Sequence, residues 1–207
     1  MSHGVTPFAV NLAQIRKVVG SRSKSLLREL REEFEDELTM DREEVEEANI
    51  DDEFDPELAL EDALRHLIMD EERWDYEGPK YAQAIEMLCS FYGEFLPNDH
   101  WTEMPISWAE TVHDALHDTG VSEDQFSLLG HLFHRGSPVD IPDIEDFPYI
   151  GYVKQSEIPS VVELLSDETF SSIENADVVK IRRSLEQLRD WLEVCQREKS
   201  DLICFFH

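Results

Sequence analysis

The sharpest hydrophobic pattern lies near the end of the chain. Val178, Ile181, Leu185, Leu188, Leu192 and Cys195 recur at steps of three and four, with Trp191 widening the face, so the spacing predicts a long amphipathic helix. Lys199, Ser200 and Asp201 interrupt it, and five apolar residues, Leu202-Ile203-Cys204-Phe205-Phe206, precede His207. Such a run predicts a buried terminal strand, because a chain end is ordered only when it is tied down. Phe8-Ala9-Val10-Asn11-Leu12, after Pro7, reads as a second strand, and Tyr149-Ile150-Gly151-Tyr152-Val153 as a third.

Helical spacing fills the space between. Asn11 is placed to cap a short helix through Ile15, Val18 and Val19 that Gly20 closes. A helix from Ser23 carries Leu26, Leu27, Leu30, Phe34 and Leu38 on one stripe. Asp55-Pro56-Glu57 has the residue order of a helix start, ahead of Leu60, Ala63, Leu64, Leu67 and Ile68. Gly78-Pro79 breaks the chain before a helix from Tyr81 to about Phe95. Trp108 to His117 and Ser122 to His134 are two more, closed by Gly120 and Gly136, and Ser122-Glu123-Asp124-Gln125 fits a capping box. Pro138 to Pro148 reads as a loop, and Ser156 opens a short Leu- and Val-rich helix. The expectation is an α+β fold: one predominantly helical domain over 1–207, with a small sheet formed from both chain ends and the residues near 149–153.

Charge changes the picture. Eighteen Lys and Arg stand against 47 Asp and Glu, a net charge of -29. Between Glu29 and Glu77, 23 acids meet four Arg, so a net of -19 sits in 49 residues. The part from Met40 to Phe54 has only Val45, Ala48 and Ile50 as apolar anchors, and is expected to be an acidic mobile insert or a solvent-facing helix end. Such a field opposes direct binding of nucleic acid or an anionic membrane, since both depend on Lys and Arg. It attracts basic proteins. The expected function is therefore a non-enzymatic module docking a basic protein partner, as an immunity protein or a mimic of nucleic-acid charge would. The candidate contacts are Glu32, Glu33, Asp36, Glu43, Glu44, Glu47, Asp51 and Asp52, with Trp74 and Tyr76 as aromatic faces for a cation. An acidic surface serving only solubility, on a housekeeping domain, is the plain alternative.

Chemistry-bearing motifs are sparse. His113 and His117 are four apart on a predicted helix, which is metal-ligand spacing, with His131 and His134 on the next. They support a second alternative, a metal-dependent hydrolase using His113 and His117, although His-Glu-x-x-His is absent and a surface or capping role is the commoner one for such residues. Asp51-Asp52-Glu53-Phe54-Asp55 lacks the Gly and the distant Glu of a calcium loop. Ser107 and Cys89 lie in no nucleophile motif, and no Gly-rich phosphate loop or other cofactor signature is present. Cys89, Cys195 and Cys204 sit among apolar neighbours, which suggests a reducing, cytoplasmic setting.

Several stretches resemble known families. They are the aromatic strand, short helix and Gly20-Ser21 at the start; Gly151-Tyr152-Val153 leading into Ser156-Glu157-Ile158; Leu188-Arg189-Asp190-Trp191-Leu192; and the ending Leu202 to His207. Together these are similar to the YfbM-like bacterial domains of unknown function. Ala84 to Cys89, Leu96-Pro97-Asn98 and Arg135 to Val139 are closer still to an uncharacterised family common in actinomycetes. The resemblance covers most of the chain outside Met40 to Phe54. It implies the fold and a bacterial cytosolic setting, and no activity.

Overall fold

The terminal apolar run forms a strand, and that strand lies in the interior of a sheet. The computed structural model describes residues 3–49, 56–105 and 107–207. With elements numbered in chain order, β1 is Val5–Val10, β2 Glu94–Phe95, β3 Tyr149–Val153 and β4 Asp201–Phe206, in the antiparallel order β2-β1-β4-β3. β4 pairs with β1 from Val5↔Phe206 to Val10↔Asp201, and with β3 from Tyr149↔Phe206 to Val153↔Leu202. Leu202 to Phe206 are all buried, so the strand has no polar face and reads as a continuous apolar run instead of an alternating one. The fold is α+β, predominantly helical, with its sheet drawn from both chain ends and residues 149–153.

The chain forms two compact units. One comprises the described residues of Met1–Leu12, Gly93–Gly136 and Tyr149–His207, and the other Ala13–Tyr92 and Ser137–Pro148.

In the first unit, α10 (Val178–Glu198) lays Ile181, Leu185, Leu188, Trp191, Leu192 and Cys195 against β1 and β4. It ends at Lys199, whose left-handed φ of 56° lets the N–H groups of Lys199 and Ser200 reach Cys195 O. Asp201 then does a cap's work at long range. Its Oδ2 accepts from the Leu12 N–H at 2.9 Å and its Oδ1 from the Gln155 N–H at 2.8 Å. The helices α6 (Ser107–His117), α7 (Leu128–Leu132), α8 (Ile158–Leu164) and α9 (Asp167–Ser171) complete this unit. Arg135 holds Glu157 by two parallel bonds of 2.7 and 2.8 Å, and lies 4.4 Å from the Tyr152 ring centre. That guanidinium, together with the Lys154 N–H, depresses the Glu157 carboxyl to about 2.

The second unit is helical: α1 (Leu12–Val18, from Ala13 on), α2 (Lys24–Glu33), α3 (Glu35–Ala48), α4 (Leu60–Met69) and α5 (Gly78–Tyr92), with the 137–148 loop. Gly20, at φ 72°, follows α1 and donates to Leu67 O at 2.7 Å. The loop packs so closely on α5 that a Cβ on Gly78 would come within 2.0 Å of Asp143 O.

Four expectations need correction. The helix from Ser23 does not run on to Leu38, because half-buried Phe34 leaves helical geometry (φ -111°, ψ 28°) and divides α2 from α3. The helix after Pro56 begins at Leu60, since Leu58 is buried and Asp41 Oδ2 accepts from the Leu60 N–H at 2.6 Å. Asp55 lies outside the described residues. Phe95 is not on a helix: α5 stops at Tyr92, ahead of a poor helix former, Gly93, and Phe95 pairs with Phe8 as an exposed edge. Ser122 to His134 contains only α7, because Ser127 caps a new helix start through Gly130 N–H. The Ser122 N–H still donates to Gln125 Oε1 at 3.0 Å. The acidic stretch 40–54, expected as a mobile insert or a solvent-facing helix end, is not among these corrections: α3 takes it as far as Ala48, and 50–55 lie outside the described residues.

Two predictions follow from the first unit. Gly151 sits where β3 meets α7, and a Cβ there would lie 2.1 Å from the Leu132 backbone carbon. Gly151→Ala is expected to cost about 2–3 kcal/mol in a denaturant titration, the range of an overpacked core. Glu157→Gln is expected to cost about 1–2 kcal/mol at pH 7, trimmed by the partial exposure of the pair. A depressed carboxyl stabilises above its ordinary value of 4.5 and loses that contribution towards 2, so the gap between wild type and variant should close as pH falls through that window.

Candidate functional site

The second unit presents an acidic surface on α2 and α3. On α2, Leu26, Leu27 and Leu30 face inward, and Glu32 and Glu33 are exposed at its end. On α3 only Leu38 and Val45 are buried, so almost its whole circumference is carboxylate-bearing. Asp36 lies in the first turn, where negative charge complements the helix dipole. Glu43, Glu44 and Glu47 lie in the last turns, where it does not, and no basic residue offsets them there.

The few cations of this stretch are already engaged. Glu61, on the first turn of α4, receives both Arg31 (2.6 Å) and Arg42. Arg65 bonds Asp62 and Glu71, and Arg73 reaches Asp140. Glu32 has a loose contact to Arg28 at 3.9 Å. Among the described residues Glu33, Asp36, Glu43, Glu44 and Glu47 have no ion pair. A groove of about 320 Å³ between α2, α3 and α4 is lined by Arg28, Arg31, Glu32, Leu38, Arg42 and Glu61, among others.

One carboxylate turns inward and holds α3 in place. Asp41 accepts from Lys80 Nζ on α5 at 2.5 Å through Oδ1, while its Oδ2 takes the Leu60 N–H. Both side chains are more than four-fifths buried. Asn49 adds a backbone clip, accepting from the Glu57 N–H at 2.8 Å and donating to Glu57 O at 3.1 Å.

Trp74 and Tyr76 stand on the α4–α5 connection. Their rings are 5.9 Å apart and inclined by 32°. Tyr76 is 57% exposed, whereas Trp74 is half-buried against His66, and the Trp74 backbone N–H donates to the Tyr81 hydroxyl. His66 Nδ1 lies 2.8 Å from that same hydroxyl, and burial pushes the imidazole below its ordinary value. Asp51 and Asp52, like the calcium-like run they belong to, lie outside the described residues.

In the first unit, His113 and His117 meet at the end of α6 with ring centres 4.2 Å apart. The turn after Gly120 (φ 98°) adds Glu123, whose Oε1 is 3.7 Å from His113 Nε2. One donor atom from each of the three residues falls within 4.8 Å of the others. His113 is buried, and desolvation, then the neighbouring His117, holds its imidazole below the ordinary value. Glu123 could not be found from spacing, since the turn delivers it to α6 from outside the helix repeat. His131 and His134 do not join. The first packs on Phe126 with Nδ1 2.8 Å from Ser127 O, and the second edges Tyr149. A second groove, of about 380 Å³, is lined by His100, Trp108, Asp177, Lys180 and Arg183, among others. Sequence reading missed it, because it joins two stretches far apart in the chain, 99–108 and 177–184.

Cys89, Cys195 and Cys204 are buried and free, and desolvation pushes the Cys195 thiol up to about 12 and the other two well above their ordinary range. They are core residues, not nucleophiles. No helix among the described residues is long and apolar enough to cross a membrane.

An α+β chain with one carboxylate-covered helical unit is thus the class that fold and surface define. Over residues 1–207 the chain matches the family described as "Domain of unknown function (DUF7691)", and it belongs to that family. The description names no activity and does not mention the YfbM-like domains. No curated protein and no solved structure matches the chain.

The Asp41–Lys80 pair gives a direct test of how this surface is held. Asp41→Ala leaves a mostly buried ammonium and an uncapped α4, and is expected to cost about 2–4 kcal/mol. Lys80→Met should cost less, and the double variant less than the sum, in a double-mutant cycle followed by denaturant unfolding.

Proposed function

We propose that the protein is a binding module whose α2–α3 surface docks a basic protein partner. The observation that carries this reading is the placement of charge at the end of α3. Glu43, Glu44, Glu46 and Glu47 are all exposed, like-charged at helical i,i+3 and i,i+4 spacing, and set against the dipole. Each such pair costs roughly 0.2–0.5 kcal/mol, so the arrangement runs against local stability. Solubility alone calls for charge spread over a surface with both signs mixed. Concentrated charge, with its arginines occupied by Glu61, instead gives a directed field that speeds encounter with a basic face. The exposed Tyr76 ring, paired with Trp74, adds a face for a lysine or arginine. An immunity protein masking a basic toxin domain is one pairing of this kind.

The test compares two equal charge changes. Immobilised wild type, the α3 variant E43K/E44K/E47K and the α10 variant E186K/D190K/E193K are each exposed to lysate of the source organism at low salt. A partner retained by wild type and by the α10 variant, but lost by the α3 variant, is the expected result. Its purified form should then associate with a rate constant that falls at least about tenfold between low and high salt. Equal loss in both variants would reduce the effect to net charge and overturn the reading.

A further inference from the structure

We infer that His113, His117 and Glu123 form a binding site for a divalent transition cation, with zinc(II) the best-suited probe. The site lies in the first unit, on different residues from the docking surface, and does not depend on that reading. Three features of the cluster point to an ion. The first is the donor set: two imidazoles and one carboxylate suit zinc and its neighbours, whereas calcium and magnesium take oxygen ligands. The second is proximity. One donor atom from each residue lies within 4.8 Å of the others, while tetrahedral zinc with bonds of about 2.1 Å sets its ligands roughly 3.4 Å apart. Glu123 Oε1 is already 3.7 Å from His113 Nε2, and its side chain is 75% exposed, so the carboxylate has room to turn towards an ion.

The third feature is the state of the ring nitrogens. His117 Nδ1 is 2.5 Å from Val121 O and is therefore the N–H, which leaves Nε2 as the lone-pair nitrogen. That Nε2 is buried and has no hydrogen-bond partner. A backbone carbonyl fixing the far nitrogen of a histidine is the arrangement that orients metal ligands. His113, only 8% exposed, likewise has its Nδ1 buried without a partner. Buried polar atoms are nearly always paired, so two unpaired nitrogens on touching rings call for an explanation, and a cation supplies one for the His117 lone pair. The rings also stand at the C-terminal end of α6, where helix carbonyls favour positive charge. Three protein ligands leave a fourth position, which the exposure of Glu123 places towards water.

Metal-free protein titrated with zinc chloride at pH 7.5, in the presence of millimolar magnesium, tests the site by calorimetry. One zinc per chain, with cobalt(II) giving the intense visible bands of a tetrahedral complex, is expected. Glu123→Gln, a surface change that leaves the fold intact, should weaken zinc binding about 10- to 100-fold, and His117→Gln at least as much. Zinc that magnesium displaces would mark diffuse attraction to an acidic protein and overturn the inference. So would absence of stoichiometric binding, or Glu123→Gln binding as wild type.

Discussion

The pairing of β4 with β1 and β3 is the constraint on which the first unit rests. β4 has a ladder on each side and apolar contacts on both faces, so its backbone and side chains are satisfied only once both neighbours and α10 are in place. β1 is the first strand in sequence and β4 the last, so these contacts are strongly non-local. Such pairings form late and reward the chain only after a large loop closure has been met. Asp201 links that ladder to its surroundings. One carboxylate at the start of β4 fixes the first amide of α1 and the turn after β3, where local capping residues would otherwise be required.

In the helical unit the governing problem is electrostatic. Many carboxylates must fold together with few cations, and the solution is to place those cations with care. Glu61 gathers Arg31 and Arg42, and Asp41 takes Lys80, so the cationic groups act as fasteners between helices. The remaining acids are pushed to the periphery of α2 and α3, where water screens their repulsion. The result is a surface on which, among the described residues, Glu33, Asp36, Glu43, Glu44 and Glu47 have no ion pair. A partner of opposite sign would relieve that repulsion.

The two candidate sites differ in how far the sequence exposes them. The acidic surface is legible as charge, because charge density is a property of composition, but that Glu43, Glu44 and Glu47 stand on a helix came from the structure. The histidine cluster is legible only in part. Spacing of four brings His113 and His117 to one side of α6, but Glu123 comes from a turn whose path depends on Gly120 and on the Ser122–Gln125 bond. His131 shares the residue type and lacks the geometry, since its ring is committed to Ser127 and Phe126.

By itself the sequence determined the periodic elements. The α10 stripe, the apolar run of β4 and the glycine stop after α1 are local patterns, and each appears in the fold where the pattern lies. Tertiary structure decided what local pattern leaves degenerate. Pro56 and Glu57 look like a helix start, yet the helix waits for Asp41 to supply an acceptor at Leu60. Phe95 continues a helical stripe, yet it serves as an edge beside Phe8, because a strand edge in need of hydrogen bonds outweighs one more helical residue after Gly93. Where partners distant in sequence compete with near ones, packing and hydrogen-bond satisfaction choose, and neither is written in any one window of residues.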